Sequence, residues 1–271
     1  MKRPELSLIV PTFNERGSIR PLVSELETAL EGIDWEVLFV DDSTDGTETL
    51  IAAHGQRNPR VRVYHRDANR GGLAGAVVDG LARARGQYLC VLDADLQHPP
   101  ERIPDMLAAA RESHAEVVVA SRYVPGGSAG GLDGPLRQVY SRGLKLLSKC
   151  VFPRRLAGIS DPLGGYFLLH RSVIRGAYLR PIGYKILLEI LIRCRWQTSC
   201  EVPYRFQPRQ HGASKADVRQ GLRFLKHLAT LAWDCSPLLA PVRASANQPV
   251  LATGSGSILP QQLPTSLAGG I

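Results

Sequence analysis

The chain of 271 residues is poor in aromatic side chains (6%) and in methionine (2). It holds no apolar run near the ~18 uncharged residues that a membrane span requires. Its first residues, Met1-Lys2-Arg3-Pro4-Glu5, run straight into a strand-like segment, so neither a spanning segment nor a secretory leader is expected. Five cysteines (Cys90, Cys150, Cys194, Cys200, Cys235) are odd in number and widely spaced, with no C-x-x-C pair. They support neither a disulfide framework nor a zinc cluster and read as reduced thiols of a cytosolic protein. Two nucleotide signatures are missing as well. There is no G-x-x-x-x-G-K-[ST], and Gly71-Gly72-Leu73-Ala74-Gly75 has the wrong spacing for G-x-G-x-x-G. P-loop and nicotinamide chemistry are thereby set aside.

What remains is an ordinary globular balance, 44% hydrophobic and 21% charged, enough for one large domain or two small ones. The formal charge of +8 is unevenly spread. Residues 1–121 carry 13 Lys and Arg against 19 Asp and Glu, whereas residues 122–235 carry 19 against 6. An acidic first part and a basic second part suggest an anionic partner for the second: phosphate, anionic lipid or nucleic acid. A solvated basic face would give the same count.

Short apolar runs alternate with helical spacing through the first 121 residues. Strands are expected at 6–11, 35–40, 61–65, 88–92 and 116–120, and helices at 18–31, 45–54, 73–84 and 101–113. This alternation predicts a mostly parallel α/β sheet covered on both faces, with ligands at the carboxyl ends of its strands. After Arg122 a glycine-rich loop leads to an amphipathic helix at 136–151 carrying Arg137, Arg142, Lys145 and Lys149. Strands at 165–169 and 201–206 flank a helix at 184–195. A second basic helix spans 217–234, with Val218, Leu222, Leu225, Ala229 and Ala232 on one side and Arg219, Arg223 and Lys226 on another. That helix suits packing on the domain by its apolar stripe, and with Trp233 it equally suits a membrane interface. The expected organisation is a domain at 1–215, an amphipathic interfacial helix at 216–235 and a disordered tail at 236–271.

Three strand ends deliver acidic residues: Asn14-Glu15, Asp41-Asp42 and Asp93-Ala94-Asp95-Leu96-Gln97-His98. A single Asp-x-Asp is common as a turn or helix cap. Directly after a buried strand, however, Asp93 and Asp95 fall on one side at spacing two and repel unless a cation lies between them. Gln97 continues the series with a neutral oxygen. Three oxygen ligands suit Mg²⁺ or Mn²⁺. His98, before two prolines, reads as a loop residue rather than a ligand.

The motifs VPTFNE (10–15), VDDSTDGT (40–47), LDADLQHPPE (92–101), SRY (121–123), DPLGGYF (161–167) and PRQHGASK (208–215) together resemble the family-2 glycosyltransferases with a GT-A fold, most of all their polyprenol-phosphate branch. The resemblance implies an α/β GT-A domain with a mostly parallel central sheet flanked by helices. It implies a donor base and ribose pocket at Pro11, Phe13, Glu15, Val40 and Asp42. A diphosphate and metal site follows at Asp93, Ala94, Asp95 and Gln97. Arg122, Arg209 and Lys215 would grip the donor diphosphate and the acceptor phosphate, with Arg137 and Ser141 as further acceptor-phosphate ligands. Asp95, Arg122 and Arg209 are the expected catalytic residues. Phe13 stands where the family usually has tyrosine, keeping the ring and losing a hydroxyl. Leu163-Gly164-Gly165-Tyr166-Phe167 departs from the family's serine-glycine-phenylalanine run.

The Q-x-x-R-W signature of transferases acting on hydroxyl acceptors fails here, because Ile192 stands before Arg195-Trp196. A phosphomonoester acceptor is already ionised near neutral pH and needs cations rather than a base. The expected activity is inverting transfer of a hexose from a nucleotide-diphosphate sugar to a polyprenyl or dolichyl phosphate at the cytosolic membrane face. The resemblance favours mannose and GDP-mannose, with peripheral membrane contact and a separate membrane subunit among the candidate partners. Arg142, Lys145 and Lys149 are expected on a solvated face or in general attraction to a membrane. One rival is a family-2 transferase with a glycan or hydroxyl acceptor. The non-enzyme rival, a basic nucleic-acid-binding protein, is opposed by the acidic first part and by the lack of interleaved aromatic and basic residues.

Overall fold

Strand β1 (Leu6–Thr12) is buried along its whole length, and its sequence LSLIVPT accordingly shows no alternation of polar and apolar residues. The computed structural model describes residues 3–130, 135–180, 182–208 and 218–235, with the backbone alone described for 135–140 and 218–219. The expected tail (236–271), the boundary between 215 and 216, and Arg209 and Lys215 lie outside the described residues.

After β1 come α1 (Arg16–Ala29), β2 (Trp35–Asp41), α2 (Thr47–Arg57), β3 (Val61–His65), α3 (Gly72–Arg83), β4 (Tyr88–Val91), α4 (Ile103–Glu112) and β5 (Val117–Ser121). Then follow α5 (Pro135–Val151), β6 (Phe167–His170), α6 (Ile186–Arg193), β7 (Ser199–Pro203) and α7 (Val218–Cys235). The seven strands form one sheet in the order β3-β2-β1-β4-β6-β5-β7. All neighbours run parallel except β6, which is antiparallel to β4 and β5.

Each face of the sheet carries its own apolar layer. One is built by α3, α6 and α7 over Ile9, Val40, Val91 and Phe167. The other is built by α1 and α4 over Leu8, Phe39, Leu92 and Val118. Gly80 lets α3 lie against β1, since a β-carbon there would come 2.4 Å from Ile9 Cγ2. Such close approach brings the start of α3 near the ends of β1 and β2.

Helix α7 docks by a stripe different from the expected one. Phe224, His227, Leu228 and Leu231 are buried, while Leu222 (66% exposed), Leu225 and Trp233 (57%) face outward. The inward stripe is selected by polar partners as well as apolar ones. His227 Nε2 lies 2.9 Å from the buried Glu189 Oε2, and Arg193 Nη2 on α6 donates to Asp234 Oδ2 at 2.7 Å. Among the described residues, no helix is long and apolar enough to cross a membrane.

Candidate active site

The carboxyl ends of β1 and β2 are tied by Asp41, which is fully buried. Its Oδ1 accepts from Thr12 Oγ1 (2.6 Å) and Ser43 Oγ (2.6 Å), and its Oδ2 lies 2.9 Å from His65 Nδ1. Asn14 donates its backbone N–H to Ser43 Oγ at 2.8 Å and accepts from Thr44 N at 3.0 Å, closing the two loops on each other. Asn14 adopts φ 58°, a left-handed conformation that asparagine tolerates. Asp42 is forked by the Arg66 guanidinium, with Nε donating at 2.7 Å and Nη2 also bonded. Arg66 reaches Asp79 Oδ2 (3.2 Å) and the carbonyls of Arg70 (3.0 Å) and Gly72 (3.1 Å). Of the expected donor pocket, Pro11 and Val40 are buried walls, Glu15 is half-buried, and Phe13 stands exposed at its mouth. Asp42 is held rigidly beside them.

The loop after β4 folds on itself. Asp95 is buried and its Oδ1 accepts from Gln97 N at 3.1 Å. Leu96 between them takes φ 63°, an unfavourable conformation for a branched side chain, and it is held there by burial in the core. Asp93 keeps 35% of its side chain exposed. Gln97 Nε2 donates to Gln207 O at 3.1 Å, leaving Oε1 as the acceptor of the amide.

His98 is the floor of this loop. Its ring stacks on Tyr166 (5.0 Å between centroids) and meets Tyr204 and Phe206 edge-on. Burial lowers its pKa to about 4, so it is neutral at ordinary pH, and Nδ1 accepts from Asp93 N at 3.0 Å. The 3.6 Å approach of Nδ1 to Asp93 Oδ2 is therefore not an ion pair. His98 Nδ1 is thus occupied by a backbone N–H, and the ring serves as packing in this loop.

The residues fit a divalent cation. Two carboxylates and an amide are hard oxygen donors. Gly165 keeps the space before Asp93 open, since a β-carbon there would come 3.5 Å from Asp93 Oδ2 and 3.2 Å from His98 Cε1. Among the described residues no group of three or more His, Cys, Asp and Glu side chains is poised on a metal. The fit thus depends on Gln97 as the third donor.

Arg122 follows β5 and is nearly buried. It forks Asp161, with Nε donating to Oδ2 at 2.7 Å and Nη2 to Oδ1 at 2.9 Å. Burial alone would lower the pKa of this guanidinium; the bonds to Asp161 overcome that and hold it above its ordinary value. Arg122 is accordingly paired rather than free for a phosphate. Its Cζ lies 5.6 Å from the Phe206 ring, and Phe206 lies 5.8 Å from His98. The Arg122–Asp161 pair and the acidic loop therefore share one aromatic floor. Asp161 is itself set by Glu201 on β7, whose Oε1 accepts from Ser160 N (2.9 Å), Ser160 Oγ (2.9 Å) and Asp161 N (3.2 Å).

On α5, Ser141 Oγ lies 3.5 Å from Tyr123 Oη, and Lys145 Nζ sits 3.5 Å from the centroid of the Tyr123 ring. Arg137 is one turn before Ser141 on the same helix, its side chain outside the described atoms. Lys145 thus differs from the expected solvated or membrane-facing cation: the ring of Tyr123 draws it inward. Arg142 remains exposed. Trp196 has a structural role, its Nε1 donating to Leu191 O at 2.9 Å at the end of α6, while Arg195 is exposed.

Sequence reasoning missed Asp41, Arg66, Asp161, Lys145 and Glu201. Asp41 and Asp161 were visible as the first acids of their motifs, and Lys145 as the next turn after Ser141. Nothing local marks the pairing of Arg66 with Asp42 or of Glu201 with Ser160, which are 24 and 41 residues apart.

Comparison with known proteins agrees with this geometry. The glycosyl transferase family 2 profile matches residues 7–176. The dolichol-phosphate mannosyltransferase of Pyrococcus furiosus is 37% identical over 229 residues, covering 84% of this chain and 63% of that protein. This chain thus spans less than two thirds of that relative. The Saccharomyces cerevisiae dolichol-phosphate mannosyltransferase is 34% identical over 240 residues, covering 84% of this chain and 86% of that protein. Among solved structures, glucosyl-3-phosphoglycerate synthase from Mycobacterium tuberculosis with Mn²⁺, UDP and glucosyl-3-phosphoglycerate superposes with a TM-score of 0.65 at 21% identity, covering 86% and 80% of the two chains. Mannosyl-3-phosphoglycerate synthase from Rubrobacter xylanophilus gives 0.63 at 22%, covering 84% and 73%. The fold is GT-A, and the chain belongs to glycosyltransferase family 2.

Proposed function

We propose that the protein transfers mannose from GDP-mannose to a dolichyl or other polyprenyl phosphate, with inversion, at the cytosolic face of a membrane. The observation that carries this reading is the shared floor formed by His98, Tyr166, Tyr204 and Phe206, which joins the acidic loop after β4 to the Arg122–Asp161 pair after β5. Identity of 34–37% to dolichol-phosphate mannosyltransferases supports the choice of sugar and acceptor.

Asp42 and the walls at Pro11 and Val40 hold the nucleoside, with Phe13 closing over the base. Asp93, Asp95 and the Gln97 amide oxygen would hold a divalent Mg²⁺ or Mn²⁺. When bound, the ion neutralises charge on the departing diphosphate. The acceptor monoester is already ionised, so its oxygen attacks the anomeric carbon as the bond to the diphosphate breaks, and no protein base is required. The side chains orient the two phosphates in line and offset their repulsion. Arg137, Ser141, Arg209 and Lys215 are the proposed grips; Arg122, committed to Asp161, is set apart from them. The outward Leu222, Leu225 and Trp233 of α7, with Arg223 and Lys226 among them, suit contact with an anionic bilayer surface. All five cysteines are free thiols, which suits a reducing compartment.

The test is a screen of GDP- and UDP-sugars with polyprenyl phosphate and Mn²⁺. Mannosyl transfer from GDP-mannose is expected. Transfer to a glycan with no lipid phosphate present would overturn the acceptor assignment. Asp95→Asn should lower kcat by about a hundredfold or more while the protein stays folded. Retained activity in that variant under saturating chelator would sink the metal site.

A further inference from the structure

We infer that Lys145 is a phosphate-binding residue of the acceptor site, held ready on the face of Tyr123. This rests on the reading of a lipid-phosphate acceptor given above and adds a residue to that site.

Among the described residues, the cations around the aromatic floor are unequal. Arg122 is committed to both oxygens of Asp161, and Lys185 Nζ donates to Leu163 O at 2.8 Å. Lys145 has no carboxylate within ion-pair reach among the described residues. Its ammonium sits 3.5 Å from the centroid of the Tyr123 ring, whereas Arg122 Cζ lies 5.5 Å from the same centroid. Tyr123 therefore interacts with two cations at once, and its hydroxyl points to Ser141, one helical turn before Lys145. Ser141 and Lys145 occupy one face of α5.

A ring face holds a cation less firmly than a phosphate does, because a monoester offers full negative charge and directed acceptors. Burial lowers the pKa of Lys145; Asp161 opposes this, while Lys149, Arg142 and Arg122 add to it. An incoming anion relieves both effects. The ammonium can leave the ring for a phosphate oxygen by rotation within its own four-carbon side chain, with no change in α5. Arg142, exposed and three residues earlier, lacks this inward partner and serves as a matched control.

Citronellyl phosphate, a short soluble prenyl monophosphate, provides the test in lipid-free buffer. Lys145→Met should raise the acceptor KM roughly tenfold to a hundredfold, leaving the donor KM and the melting temperature unchanged. Lys145→Arg should recover most of the loss, and Arg142→Gln should stay at the wild-type value. Calorimetry with citronellyl phosphate, in the absence of donor and metal, should show the same ranking of affinities. An unchanged acceptor KM in Lys145→Met, an equal loss in Arg142→Gln, or no binding by the wild type would overturn the inference. Lys145-dependent binding with no sugar transferred would preserve it and sink the proposed function. Active transfer indifferent to Lys145 would do the reverse.

Discussion

Residues 3–121 and residues 122–208 each bury an arginine against an aspartate, and they secure it differently. In the acidic first part, Arg66 forks Asp42 and also reaches Asp79 and the carbonyls of Arg70 and Gly72. In the basic second part, Arg122 depends on the single carboxylate of Asp161, backed by the rings of Tyr123 and Phe206. Several other cations of the second part are likewise used structurally. Arg171 caps the carbonyls of Ala84 and Gly86, and Arg155 those of Ile192 and Cys194. The charge asymmetry is thus partly scaffolding.

The largest expected effect separates the two arginines. Asp161→Ala strands a buried guanidinium and should cost about 3–5 kcal/mol of stability. Asp42→Ala leaves Arg66 three further acceptors and should cost about 1–2 kcal/mol. Urea titration of both variants checks this, and equal losses would break the contrast.

Next comes pH. His98 is held neutral by burial, with its pKa lowered from 6.5 to about 4. Between those values the unfolded chain binds a proton that the folded chain refuses, so stability falls as pH falls. The loss should approach roughly 3 kcal/mol at pH 4. His98→Phe should flatten that slope while preserving the stack on Tyr166. Thermal melts at steps from pH 7 to 4 would measure it; an unchanged slope would mean His98 is solvated.

A smaller effect distinguishes donor from acceptor grips. Arg137→Ala should lower kcat/KM for the acceptor roughly tenfold to a hundredfold with donor affinity intact. Arg209→Ala should weaken both substrates, because its motif resembles a contact with both phosphate groups. Steady-state kinetics varying each substrate in turn decides it, and equal donor loss in both variants would merge the two sites.

The smallest effect lies on the outer face of α7. Trp233→Ser should weaken binding to anionic vesicles about tenfold and leave turnover of a soluble acceptor unchanged. Unaltered sedimentation with vesicles would return that face to plain solvent exposure.

The alternation of buried strands and amphipathic helices was legible because β1, β2 and β5 are buried along their whole length and so read as mostly apolar runs. The acid loop was legible because Asp93, Asp95 and Gln97 lie within five residues. The docking stripe of α7 was not legible. Leu222 and Leu225 are as apolar as Phe224 and Leu228, and Glu189, 38 residues from His227, is what draws the second set inward. Lys145 likewise carries the same charge as Arg142, and only the place of Tyr123 tells them apart.

The sequence by itself therefore determined the strand and helix order, the family, and the acidic residues at the strand ends, because each of these is encoded within a few consecutive positions. The tertiary structure decided which charges remain for a ligand. Pairing depends on distance in space, and Arg122 with Asp161, Arg66 with Asp42, and Glu201 with Ser160 are joined across 39, 24 and 41 residues respectively. A charge count cannot see those contacts, since a buried pair and a solvated pair contribute equally to it.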